Sequence, residues 1–153
     1  MRTLRSLLMT GRVAALATLH RGDPAVSMVP YALLADLPAF VVHVSRLAAH
    51  TADLLAHPAV ALLVTSADSA ASPLALPRVA IQGIARMCPV DDAMHSAARA
   101  AYLAKIPDAE PLFSFGDFSL VLIEPRSARY VAGFGQASSL TATRLAAIMR
   151  GEP

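Results

Sequence analysis

With 153 residues, 56% hydrophobic and 16% charged, the chain has the size of one domain, predicted over 1–153, and too much apolar side chain to be disordered. Its longest stretches free of Asp, Glu, Lys and Arg, Leu54–Ala67 and Tyr130–Thr143, run 14 residues and are broken by His57-Pro58 and by Gly133 and Gly135, whereas a membrane span needs ~20 apolar residues. The net charge of +2, carried by scattered arginines and the single Lys105, makes no clustered footprint for nucleic acid.

Thr3 caps a predicted first helix, Leu4–Thr10, which Gly11 ends. Only Ser6–Gly11 separates Arg5 from Arg12, too short for the apolar core of a signal peptide, so a cytoplasmic location is expected. Val13, Leu16 and Leu19, spaced by small residues, predict a strand over Arg12–His20, and His20-Arg21-Gly22-Asp23-Pro24 is a turn. Ala25–Leu34 reads as a second strand in which Pro30, lacking an N–H, marks a bulge, an edge or an opening of the ladder. Asp36-Leu37-Pro38 turns into a third strand, Phe40–Ser45. Helical spacing over Ala48–Ala56 stops at His57-Pro58; Val60–Thr65 is a strand and the Ser/Ala/Pro-rich Ser66–Pro77 a loop.

Arg78–Met87 alternates as a further strand, followed by Cys88. A lone cysteine makes no internal disulfide and points to a buried thiol in a reducing compartment. Val90–Ile106 has the strongest helix signals: Pro89 ahead, Asp91 and Asp92 in the first turn, Lys105 near the end and Pro107 beyond. Asp117–Glu124 and Ala128–Phe134 are predicted as a strand pair turning at Pro125-Arg126-Ser127, and a last helix starts at Ser139 or Thr141 and runs to about Arg150. Strands dominate without strict βα alternation, so the predicted class is mainly β with flanking helices, α+β, closed as a small barrel. The apolar excess, 32 alanines included, is expected to be buried against another subunit or a ligand.

His43, His50 and His57 recur every seven residues, yet His50 and His57 would stand about 10 Å apart on a helix and cannot share a metal ion whose ligands sit at about 2 Å. No complete dinucleotide fingerprint, phosphate loop, nucleophile elbow or carboxylate pair is present. Val42–Asp53 stands out as strand, tight turn and helix start, with Ser45, Arg46, His50 and Thr51 around a helix N-terminus. Free N–H groups and the helix dipole make such a place an anion site, although an ordinary capped helix shows the same residues. Arg78, opening an apolar strand, is a further cation for that site or a surface charge.

Ala25–Tyr31, Phe40–Pro58 and Pro77–Gly83, followed by Gly116-Asp117-Phe118 and Val131–Gly135, resemble in the same order the FMN-binding split barrels related to pyridoxamine 5'-phosphate oxidase. The likeness covers about residues 4–140 and is closest to the heme-utilisation branch. It implies a six-stranded antiparallel split β-barrel and a homodimer with FMN at the subunit interface. Carried over by position, it implies that Met28, Val29, Pro30, Tyr31, His43, Val44 and Ser45 lie along the flavin ring, and that Ser45, His50 and Thr51 hold the phosphate. The resemblance likewise implies flavin contacts from Arg78 and Gln82 on a neighbouring strand and from Phe134 of the partner chain. Tyr31 and His43 are expected on the substrate side.

Ala48-Ala49-His50 replaces the oxidase's Ser-Arg-Lys run, and Ser138–Ala142 its basic substrate tail, so pyridoxamine phosphate oxidation is not implied. Heme-degrading relatives are often longer, with a C-terminal extension that helps hold heme and can supply an axial histidine; the last histidine here is His95. The expected function is an FMN-dependent oxidoreductase of unknown substrate, with no catalytic side chain and no metal assigned. The alternatives are a heme-binding or heme-degrading protein, a non-catalytic flavin-binding or sensing dimer, and a degenerate structural barrel.

Overall fold

Helix α1 (Arg2–Thr10) leads into a hairpin of β1 (Val13–His20) and β2 (Asp23–Pro30), in a computed structural model that describes residues 2–66 and 72–153. The two hairpin residues, Arg21 and Gly22, have φ of 52° and 88°, the twist that a two-residue turn needs to match paired strands. The segment predicted as one strand, Ala25–Leu34, is two. β2 ends at Pro30, Tyr31 donates its N–H to the Arg12 carbonyl at 3.1 Å, and β3 (Ala32–Leu34) joins the opposite end of the sheet. The strand order, β2-β1-β5-β6-β7-β4-β3, puts these consecutive strands at its two edges, so the sheet curls into a split barrel at Tyr31. Pro30 sits on an edge strand, where its missing donor costs little.

β4 (Ala39–Ser45), α2 (Ala49–Ala56), β5 (Ala59–Thr65) and β6 (Arg78–Met87) follow. Of the loop expected over Ser66–Pro77, residues 67–71 lie outside the described residues, and Pro73–Ala75 forms one 3-10 turn. The helix expected from Val90 starts only at His95, as α3 (His95–Lys105). The Asp92 carboxylate explains the delay: it accepts the Met94 N–H at 2.8 Å and an Arg86 guanidinium N–H at 2.8 Å, offering the backbone a turn instead of a helix. A second 3-10 segment, Pro107–Ser114, precedes β7.

The turn expected at Pro125-Arg126-Ser127 does not exist. β7 (Phe118–Gly133) is one strand of 16 residues, and the proline falls where the β6–β7 register slips between Gln82 and Gly83. Arg126 is the extra residue of that bulge, and Pro125 stays in register opposite Gly83. Gly83 is required there, since a Cβ would meet the Glu124 carbonyl and Ile123 side chain at 2.8 Å. β8 (Gln136–Thr141), absent from the expected elements, returns along β7 through a turn at Gly133 and Gly135. Among the described residues the implied six strands are eight, within the expected class. α4 (Ala142–Arg150) starts at the Thr141 cap, whose hydroxyl accepts the Arg144 N–H at 3.2 Å. No helix among the described residues is long and apolar enough to cross a membrane.

The barrel interior is aliphatic, with Leu16, Phe40, Leu62 and Ile81 meeting Leu4 and Leu8 of α1 and Leu145 of α4. A second cluster lies on the other face of β4 and β7, where Val41, Leu122 and Cys88 pack under Ala98 and Tyr102 of α3. β4 serves both, because its side chains alternate in direction.

Candidate functional site

The second cluster does not fill its space. Beside the end of β4 it opens into a cavity of about 760 Å³, bounded by the start of β7, the end of β6, α3 and the Pro107–Ser114 segment. That volume is in the range of cofactor and substrate sites. Phe113, Phe115 and Phe118 give it aromatic walls, and Arg46, His95 and Arg99 give it basic ones.

His43 reaches this cavity by strand alternation. Its ring stacks on Phe113 with centroids 3.9 Å apart and planes 9° apart, and meets Tyr102 edge-on at 5.7 Å. Burial, reinforced by His95, pushes the imidazole pKa down to about 4, so it is neutral near pH 7. Its Nδ1 is buried with no hydrogen-bond partner, an uncommon and costly state for a ring nitrogen. Arg99 lies 4.9 Å over the Phe113 ring and donates to Glu110 at 2.9 Å. Arg46 donates its backbone N–H to the Asp117 carbonyl at 2.6 Å, while its Nε reaches Ser119 Oγ at 3.4 Å.

The strand-to-helix turn beside the cavity is tied together by the residues expected to hold a phosphate. Ser45 Oγ accepts the Leu47 N–H at 3.1 Å, and the Thr51 hydroxyl donates to the Ser45 carbonyl at 2.6 Å. α2 has no side-chain cap at Ala48, and of its first-turn donors the Thr51 N–H is taken by the Ala48 carbonyl at 3.1 Å. His50 is pushed below its ordinary pKa by burial, against the pull of Asp53. Asp53 is buried and pairs with His20 Nδ1 at 2.8 Å.

The remaining predicted residues lie elsewhere. Met28 and Gln82 are exposed on the outer face of the sheet, in the rows Met28–Ala15–Leu63–Ala80 and Val26–Ala17–Ala61–Gln82. Gln82 Oε1 accepts the Ser127 hydroxyl at 3.1 Å. Arg78 donates to the Leu76 carbonyl at 3.1 Å and pairs along the sheet with Val131, thirteen residues along β7 from the Phe118 that pairs with Ser45. One chain therefore does not unite Arg78 with the Ser45–Thr51 turn. Val29 and Val44 are buried, Pro30 is half-buried at the sheet edge, and Phe134 is exposed at the tip of the β7–β8 turn.

Tyr31 does not line an open substrate side. It is fully buried, donates its hydroxyl to the Leu8 carbonyl at 2.8 Å, and is raised above its ordinary pKa by burial. His95, Arg99, Glu110 and the phenylalanines around His43 were absent from the expected site. The i, i+4 spacing of His95 and Arg99 places both on one face of α3, and that was the available signal.

A model of the pyridoxamine 5'-phosphate oxidase family matches residues 2–132. The chain is 38% identical over 136 residues to the chloroplastic non-canonical heme oxygenase HOZ of Arabidopsis thaliana, covering 89% of this chain and 40% of that one. The solved structure of a heme binding protein from Mycobacterium smegmatis superposes with a TM-score of 0.85 at 33% identity, over 94% of this chain and 58% of that one. Campylobacter jejuni ChuZ shares the fold, with a TM-score of 0.82 at 20% identity over 94% of this chain and 59% of that one. The chain thus spans about two fifths of the curated relative it matches and under two thirds of those two solved chains.

Proposed function

The chain belongs to the pyridoxamine 5'-phosphate oxidase family, and on that premise we propose that it binds heme and takes part in heme use or breakdown. The observation that carries this reading is the cavity at His43, where aromatic walls and two guanidinium groups face one space. Heme is a flat apolar ring with two propionates, and the residues present fit it. Phe113, Phe115 and Phe118 would hold the ring, and Arg46 and Arg99 would hold its carboxylates. The orphaned His43 Nδ1 marks a polar atom that the protein alone leaves without a partner. Bound heme supplies an iron that exchanges electrons and takes dioxygen. The protein's own part is to bind and orient the ring and to keep an uncharged imidazole against it. Relatives named as a heme oxygenase and a heme binding protein support the reading.

Titration of the purified protein with hemin tests it. A shifted Soret band that saturates at one heme per chain is expected; a free-heme spectrum throughout overturns the reading. Adding a reductant in air then separates breakdown, with loss of the Soret band and an open tetrapyrrole product, from binding alone.

A second reading, FMN as resident cofactor, is favoured by the N-terminus of α2, which no side chain caps and whose dipole suits a phosphate. Ser45, His50 and Thr51 would frame the phosphate and Met28, Pro30 and His43 the ring, with Arg78, Gln82 and Phe134 supplied by a second copy. A homodimer belongs to both readings. It is supported by the apolar outer face of the sheet, where Val26 and Met28 are 73% and 65% exposed. Light scattering at micromolar protein should return twice the chain mass, and a monomer overturns the dimer. A yellow protein, or flavin bands that shift on FMN addition, supports FMN. A cytoplasmic setting, in keeping with the buried free thiol of Cys88, completes the proposal.

A further inference from the structure

Two guanidinium groups line the cavity, and their circumstances differ. Arg46 has no acidic partner among the described residues, and its Nε reaches only Ser119 Oγ at 3.4 Å. Arg99 is already engaged, donating Nη2 to Glu110 Oε1 at 2.9 Å from its place over the Phe113 ring. Phe113 in turn stacks on His43, so guanidinium, phenyl and imidazole form one ordered column along the wall. The column holds the guanidinium plane, and Glu110 meets its Nη2 edge from within the chain, the kind of contact a ligand carboxylate would make.

We infer that Glu110 is an internal stand-in for a ligand carboxylate, displaced from Arg99 when a planar dicarboxylate enters the cavity. The inference rests on the heme reading above and names the recognition device of the same site. The pair is suited to exchange. Its side chains are 42% and 61% exposed, so water screens it and it holds weakly. A ligand with one carboxylate is served by Arg46 alone. A ligand with two must also win Arg99, and the released Glu110 charge stays close by as a repulsive neighbour. Glu110 therefore tempers affinity for a diacid and leaves affinity for an uncharged ring untouched.

Fluorescence titration of the full chain with metal-free protoporphyrin IX and with its dimethyl ester tests this without iron ligation. Glu110→Gln should bind the diacid up to about fivefold more tightly, the range of an exposed ion pair, and the diester with unchanged affinity. In an Arg99→Ala background the same substitution should give a smaller gain, because only the repulsion by Glu110 is then removed. Diacid binding that is unchanged or weaker in Glu110→Gln, or an equal gain for the diester, overturns the inference while leaving the heme reading intact. Failure of the wild-type chain to bind either porphyrin overturns both.

Discussion

Phe40, Val42 and Val44 point from β4 into the barrel, where they meet Leu16, Leu62, Ile81 and Ile123; Val41 and His43, one residue out of phase, point toward α3. The inner face is closed by α1 and α4, and the hydroxyl of its fully buried Tyr31 is bonded to the Leu8 carbonyl. The outer face begins equally dry at Val41 and Leu122 but ends at His43 in a cavity with an unpartnered nitrogen and two guanidiniums. A single alternation of side chains thus builds a structural core on one side and a binding wall on the other. The distinction lies in open space and charged groups, since the barrel cluster also buries one hydroxyl, that of Tyr130, without a partner.

If that division holds, substitutions on the two faces separate stability from binding. Phe40→Ala, on the filled face, should cost about 3–5 kcal/mol of stability in urea unfolding; a loss under 1 kcal/mol would mean that the barrel interior is not the main core. Phe113→Ala removes the ring stacked on His43 and lying under Arg99. It should cost about 1–2 kcal/mol, and an NMR titration should show the His43 pKa moving up from about 4.

The pH response is smaller. Because folding lowers the His43 pKa from 6.5 to about 4, the unfolded chain takes up the proton first as pH falls. The stability from neutral His43 is complete above about pH 6.5 and is lost as pH falls toward 4, by about 1 kcal/mol after allowance for its partial solvation. His43→Leu should remove this component from the difference between melting curves at pH 7 and pH 4.5. Arg46→Ala should leave stability within about 0.5 kcal/mol yet weaken hemin binding about tenfold, the loss expected for one charged hydrogen bond. Equal affinity in that variant would remove Arg46 from the site.

Much of the scaffold was legible because local chemistry agreed with the fold. The Thr141 cap, the His57-Pro58 stop and the alternation of β6 all signal their elements directly. The errors came where a residue's usual meaning was overruled by a partner distant in sequence. Pro125 looks like a turn until Gly83, on another strand, absorbs the extra residue opposite it. Asp91 and Asp92 look like the first turn of a helix until Arg86 and the Met94 N–H claim the second carboxylate.

The candidate site divides in the same way. His43 and the Ser45–Thr51 turn lie in one continuous segment and were visible. Arg99, Glu110 and Phe113 belong to a segment whose only job appeared to be helix and connection. They become a wall only when α3 folds back over β4.

The pairing of β4 carries a consequence for the order of assembly. Ser45 finds Phe118 and Phe40 finds Ile123, partners that the chain delivers 73 to 83 residues later. Such distant pairings are slow to form, because the intervening chain must be ordered before they contribute. The cavity is bounded by both strands and by the segment between them, so it does not exist in a growing chain until β7 has been made. A ligand of this site therefore cannot template early folding. It can only capture the finished barrel, and a chain cut short before β7 should emerge without any means of holding it.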